Sequence, residues 1–191
     1  RLQVLYVSSL MPSKGFFDVL QAVQLLDTQQ PGRYHLNLCG SFVSAKTETP
    51  GEVYDESTLH AYIKKNGLEE CVTYHGQVIG KKKEKQFMQA NIFLLPTSYP
   101  WEGQPLSIIE ALSFSIPVIS CNHKGIPEMV EPGRTGLFVK PKAPRSIASA
   151  IIDITEDSGR YSNMSLAARE YYEANFKREV HLNKLIKVIY G

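Results

Sequence analysis

The chain has 191 residues, 43% hydrophobic and 21% charged, with 21 Lys+Arg against 19 Asp+Glu for a formal net charge of +2. A chain of this length buries roughly 70% of its unfolded surface, so it needs neither disulfides nor a structural metal, and wholesale disorder is excluded. The near-balanced charge, without a sustained basic block, argues against a dedicated nucleic-acid binder, and no apolar run reaches the ~18–20 residues of a membrane span.

In chain order, Gln3 to Ser8 has strand character. Next, Phe16, Val19, Leu20, Val23 and Leu26 share one helical face while Asp18, Gln21, Gln24 and Thr28 share the other, which predicts a helix buried on one side. Tyr34 to Cys39 reads as a second strand, and Gly40 to Asp55, long and polar with Pro50-Gly51 inside it, as an irregular surface loop. Helix Glu56 to Lys65 leads to strand Cys71 to His75, helix Lys82 to Ala90 to strand Asn91 to Pro96, and helix Leu106 to Phe114 to strands Pro117 to Cys121 and Leu137 to Val139. Helices Ser146 to Glu156, Arg160 to Asn175 and Arg178 to Ile189 complete the chain. Strand alternating with helix predicts an α/β fold, a Rossmann-like doubly wound parallel sheet of about six strands with helices on both faces. Without an internal repeat or low-complexity linker, residues 1–191 read as a single domain. The chain opens at Arg1 rather than Met, with no secretory leader pattern, and is expected to be a trimmed piece of something longer.

Cys39, Cys71 and Cys121 are far apart, odd in number and without metal-ligand spacing, so they read as reduced core thiols in a cytosolic protein. No Asp-x-Asp pair is present, and none of the five histidines is spaced as a metal ligand, so no metal is expected. None of the histidines reads as a catalytic group, His123 being set apart only by its loop after a strand. Doubly wound sheets bind ligands beyond the carboxyl ends of their strands. The loops to inspect are therefore Ser8 to Lys14, Gly40 to Asp55, Gly76 to Lys81, Thr97 to Pro105 and Asn122 to Pro127.

The most informative stretch is Pro100-Trp101-Glu102-Gly103-Gln104-Pro105-Leu106-Ser107-Ile108-Ile109-Glu110-Ala111-Leu112. It turns at Gly103 and enters a helix with Pro105 near the first position. The helix's free N–H groups and positive dipole end would make an anion site, with phosphate the obvious candidate. The helix reads as apolar on nearly all sides, and hence buried, apart from a stripe of Ser107, Glu110 and Ser113. Glu110 then needs a partner. Backbone or a lysine would serve, and so would ligand hydroxyls. Glu102 is either a solvated loop charge or a group at the cleft mouth, and Trp101 beside it either packs or stacks on a sugar. The two carboxylates, on the order of 10 Å apart along a helix axis, are too far apart for the ~5 Å acid and nucleophile pair of a retaining glycosidase. The run Lys81-Lys82-Lys83-Glu84-Lys85 reads as a solvated helix start, with anionic lipid or a diphosphate as the sharper alternatives.

Glu102 and Glu110, with seven residues between them, resemble the E-x7-E motif of the group 1 (family 4) retaining glycosyltransferases in its Glu-Gly-x-Pro variant. Further matches follow in the family's order over about 130 residues. They are Lys14-Gly15, Gly67-Leu68 leading to Val72-x-Tyr74-x-Gly76, and Gly125-Ile126-Pro127-Glu128 followed by Glu131-Pro132-Gly133-Arg134-Thr135-Gly136-Leu137. The resemblance implies one half of a GT-B fold, the C-terminal domain that holds a nucleotide-diphosphate sugar, UDP- or GDP-linked, with no other cofactor required. It implies that Glu102 contacts hydroxyls of the transferred sugar and Lys14 the diphosphate. It places Glu110 at the ribose, the backbone of Gly103, Gln104 and Leu106 at sugar and phosphates, and Gly76 and Gln77 at the base.

The implied activity is transfer of a hexose to a saccharide or lipid-linked acceptor brought by an N-terminal domain absent from this chain. The implied setting is polysaccharide biosynthesis in the cytoplasm, with peripheral contact at the inner face of the membrane. One departure is that Ser9 stands where the family has an Arg and Ser8 where it has a Gly, so the second cation on the diphosphate is missing unless Lys124, His123 or the absent domain supplies it. A different GT-B enzyme, such as a nucleotide-sugar epimerase, and a non-catalytic nucleotide-binding module that lost this Arg are the alternatives.

Overall fold

Six parallel strands form one sheet: β1 (Leu2–Val7), β2 (Tyr34–Cys39), β3 (Val72–Tyr74), β4 (Ile92–Leu95), β5 (Val118–Cys121) and β6 (Gly136–Val139), in the order β3-β2-β1-β4-β5-β6. The computed structural model describes residues 1–43 and 54–190, so most of the expected Gly40 to Asp55 loop lies outside the described residues. The helices are α1 (Phe16–Gln29), α2 (Glu56–Lys65), α3 (Gly80–Gln89), α4 (Leu106–Ser113), α5 (Pro144–Thr155), α6 (Ser158–Asn175) and α7 (Arg178–Tyr190). Every expected strand and helix is present, with ends moved by a residue or two, as fraying termini allow.

Strand position explains composition. β4 and β5 are buried at every residue and are correspondingly apolar, Ile-Phe-Leu-Leu and Val-Ile-Ser-Cys. Their one polar side chain, Ser120, donates to the Leu95 carbonyl at 2.6 Å. α1 buries Phe16, Val19, Leu20, Ala22, Val23 and Leu26, the stripe legible in its sequence. α2 starts on a capping box in which Asp55 accepts from the Thr58 N–H and Thr58 accepts from the Asp55 N–H. The hydrogen bonds that its carboxylate accepts from the Thr58 N–H and the Ser57 hydroxyl hold the Asp55 carboxyl below its ordinary range.

Register separates the two faces. Leu2 pairs with Tyr34, and Tyr34 reaches Thr155 of α5 at 3.0 Å, so the even residues of β1 and β2 face α5 and its neighbour α1. Leu5 pairs with Phe93, whose ring stacks with Phe87 of α3 at 6.0 Å, so α3 covers the other face. On that second face the β2 and β3 margin is polar. His35 bonds Thr73, His75 bonds Asn37, and Asn37 donates to Gln3. Burial pushes both His35 and His75 below the usual histidine range.

Candidate functional site

β1 pairs with β2 on one side and β4 on the other, so the chain leaves these neighbours in opposite directions and opens a crevice at their carboxyl ends. The loop after β1 carries Ser9 and Lys14, and the loop after β4 carries Glu102. The Ser13 carbonyl joins them, accepting from the Ser98 N–H at 2.7 Å, the Ser98 hydroxyl at 3.3 Å and the Thr97 hydroxyl at 3.4 Å. Gly15 has φ +79°, and a Cβ there would lie 2.5 Å from the Pro96 carbonyl oxygen, so only glycine permits the approach. From below, the fully buried Tyr6 shares its hydroxyl proton between the carbonyls of Ser9 and Lys14, each at 3.3 Å.

Across this join Lys14 Nζ donates to Glu102 Oε2 at 2.7 Å, with only 13% and 6% of the side chains exposed. The ammonium also lies 4.5 Å from the centroid of the Tyr99 ring, a cation–π contact. Glu102 is thus a buried partner, not a solvated loop charge. Beside the pair lies a cavity of about 620 Å³ lined by Ser9, Met11, Lys14, Val43, Tyr99, Pro100 and Trp101. Trp101 is 82% exposed, which rules out the packing role within this chain.

The loop after β5 braces the same region. His123 donates Nε2–H to the Tyr99 carbonyl at 2.8 Å, so this nitrogen serves the loop. A Cβ on Gly125 would meet the Gly103 carbonyl oxygen at 2.4 Å. Lys124 is exposed at φ +52°.

α4 departs from its sequence reading in its burial. Pro105 is the N-cap, next to the first position as expected, but Leu106 is 70% exposed, so the helix is not buried all round; it buries only Ile108, Ala111 and Leu112. No side chain caps its start, which leaves the positive end of the dipole beside Gly103 and Gln104, both exposed. Glu110 is paired with Lys83, 2.7 Å from Oε1 and 2.6 Å from Oε2. Lys81, Lys82 and Lys85 are exposed as expected, whereas Lys83 is half-buried and paired with Glu110. Gly76 has φ +64° and its carbonyl accepts from the Gly40 N–H at 2.8 Å, while Gln77 is exposed. Glu110, Gly76, Gln77, Gly103, Gln104 and Leu106 stand outside the lining of the cavity.

Structure therefore unites Ser9, Lys14 and Glu102, and places Glu110 against a group that the sequence reading passed over. Lys83 was findable, because it sits one helical turn before the buried Phe87 and so shares its face. Tyr99, Met11 and the bracing Tyr6 carried no such periodic signal. The three cysteines are buried and free, and burial pushes Cys39 and Cys121 to about 12 and Cys71 to about 11, which suppresses thiolate chemistry. Among the described residues no group of His, Cys, Asp and Glu converges to hold a metal ion, and no helix is long and apolar enough to cross a membrane.

Residues 1–171 match the family model described as glycosyl transferases group 1. The amylovoran biosynthesis glycosyltransferase AmsK of Erwinia amylovora is 26% identical over 192 residues, covering 98% of this chain and 44% of that protein. A GDP-mannose-dependent alpha-(1-6)-phosphatidylinositol monomannoside mannosyltransferase of Mycobacterium tuberculosis is 26% identical over 196 residues, covering 100% and 48%. Among solved structures, Anabaena Alr3699/HepE in complex with UDP superposes with a TM-score of 0.84 at 20% identity over 99% of this chain and 48% of that one. The chain thus spans about half the length of the curated relatives it matches.

Proposed function

The chain belongs to the group 1 glycosyl transferases, and from that premise we propose that it is the donor-binding domain of a retaining enzyme that moves a hexose from a nucleotide-diphosphate sugar to a saccharide or lipid-linked acceptor. The observation that carries this reading is the Lys14–Glu102 pair beside the cavity at the strand-order reversal. A buried cation held at a crevice is suited to the charge that develops on a departing diphosphate, and the uncapped start of α4 adds a second positive field. Glu102 keeps Lys14 in place and presents its remaining acceptor capacity to sugar hydroxyls. Glu110 takes the ribose, the backbone of Gly103, Gln104 and Leu106 borders sugar and phosphates, and Gly76 and Gln77 border the base.

The relatives' extra length supports an N-terminal acceptor domain outside this chain. Bond breaking at the sugar's anomeric carbon then depends on positioning and electrostatics assembled between two domains. One relative's name contains GDP-mannose and one solved neighbour holds UDP, so both bases belong in the test. Ser9 in the cavity lining, a neutral side chain where the family carries a cation, favours a second reading in which the module binds nucleotide weakly and no longer transfers sugar.

The deciding experiment is calorimetric titration of this chain with UDP, GDP and ADP in EDTA, repeated on Glu110→Ala. Saturable, metal-independent binding of one nucleotide, weakened by the substitution and without sugar transfer by the isolated domain, is the expected result. Binding of none of the three by this chain or by a longer chain containing it would remove the donor-site reading.

A further inference from the structure

The carboxylate of Glu110 is incompletely satisfied. Oε1 accepts from Lys83 at 2.7 Å, but Oε2, although 2.6 Å from the same ammonium, is buried and receives no directed hydrogen bond. The ion pair holds this oxygen from one side and leaves it acceptor capacity for a further donor. Lys83 is not a loose side chain that happens to be near. Its ammonium lies 6.0 Å from the centroid of the Phe87 ring one turn along α3, and that ring stacks with Phe93 of β4 at 6.0 Å and with Phe114 at the end of α4 at 5.7 Å. The aromatic stack fixes α3 against α4, so the ammonium approaches Glu110 from a braced direction.

We propose that Lys83 is a positioning residue of the ribose subsite, orienting the Glu110 carboxylate so that Oε2 takes its missing hydrogen bond from a ribose hydroxyl. This rests on the reading of Glu110 given above. Since α3 begins at Gly80, shortly after Gly76 and Gln77, Lys83 in its first turn links the candidate base segment to the ribose carboxylate.

The test is calorimetry of the chain and its Lys83→Met, Lys83→Arg and Glu110→Ala variants with UDP, GDP and ADP and with the 2′-deoxy form of each, thermal melts confirming the fold. The chain should prefer the ribonucleotide about tenfold, the size of one charge-assisted hydrogen bond. Lys83→Met should lose most of that preference while its affinity for the 2′-deoxy form changes less than about twofold, and Lys83→Arg should keep it. Equal loss for both sugar forms in Lys83→Met, or an unchanged preference, overturns the proposal. If Glu110→Ala loses the preference and Lys83→Met does not, the ribose reading of Glu110 stands and the role of Lys83 falls. If the unsubstituted chain has no preference, both fall. Should Lys83→Met melt below the titration temperature, Lys83→Gln, which keeps a polar head and removes the charge, decides between the same outcomes.

Discussion

Lys14–Glu102 and Lys83–Glu110 consist of the same functional groups at nearly the same separation, 2.7 and 2.6 Å, yet they are built differently. The first joins two loops at the strand-order reversal, with side chains 13% and 6% exposed, and is clamped by the Ser13 carbonyl, Gly15 and Tyr6. The second joins two helices, with side chains 29% and 37% exposed, and is clamped only by ring stacking on the Lys83 side. Burial raises both the attraction within a pair and the cost of losing one member. A deep pair is therefore hard to rearrange and suits a fixed electrostatic role, whereas a half-exposed pair can re-partner with a ligand.

The largest consequence concerns broken pairs. Glu102→Gln leaves Lys14 buried without a countercharge and should destabilise the chain by about 3 kcal/mol, seen as a melting temperature lower by roughly 6–12 °C. Glu110→Gln should cost about 1 kcal/mol or less, because solvent can reach the abandoned lysine. Equal losses in thermal melts of the two variants would erase the distinction between deep and shallow pair. The Lys14→Met, Glu102→Leu double variant should recover much of the lost stability while losing nucleotide affinity, which separates folding cost from function.

Next in size is the clamp. Gly15→Ala must place a Cβ against the Pro96 carbonyl at an unfavourable positive φ, with an expected cost of about 2 kcal/mol. The loops would separate to relieve the clash, so nucleotide affinity in calorimetry should fall with the melting temperature. A change that lowers stability but leaves affinity intact would mean that the backbone join does not set the Lys14 position. Smaller still is the response to salt. Raising NaCl from about 0.1 to 1 M shortens the Debye length from about 10 to 3 Å, and the coupling energy of Lys83–Glu110 in a double-mutant cycle should drop by a few tenths of a kcal/mol, that of Lys14–Glu102 by less.

The contrast also marks what sequence could show. The sheet was legible because each strand is a short apolar run between helical periods, and β2 and α2 are placed to the residue, bounded by polar turns. Glu102, Glu110 and Lys14 were legible as members of spaced motifs. Their partners were not, since the Lys14–Glu102 contact spans 88 residues and depends on which strands are neighbours. α4 misled because a mostly apolar helix at the mouth of a crevice leaves Leu106 facing outward, and composition cannot separate that from full burial. His123 was set apart only by its loop, and its hydrogen bond to the Tyr99 carbonyl makes it part of the frame.

The smallest expected effect lies away from both pairs, at the polar margin of β2 and β3, and it serves to isolate them. Burial holds His35 and His75 below the ordinary histidine value, and the nearby charge of His35 lowers His75 further. An unfolded chain, with histidines near 6.5, therefore takes up protons before the folded chain does as pH falls. Since stability rises with pH wherever the unfolded state binds more protons, it should decline as pH drops from about 7 through 6.5 and below. These rings are partly solvated, so the decline should amount to a few tenths of a kcal/mol for each ring. Urea melts at pH 7.5 and about 5.5 on the His75→Asn variant, which keeps a polar group toward Asn37, should show a shallower decline than the unsubstituted chain, and the Lys14→Met, Glu102→Leu variant should show the full one. If the ion-pair variant instead flattens the profile and His75→Asn does not, the acid sensitivity does not lie in these rings, and the β2 and β3 margin no longer isolates the two pairs.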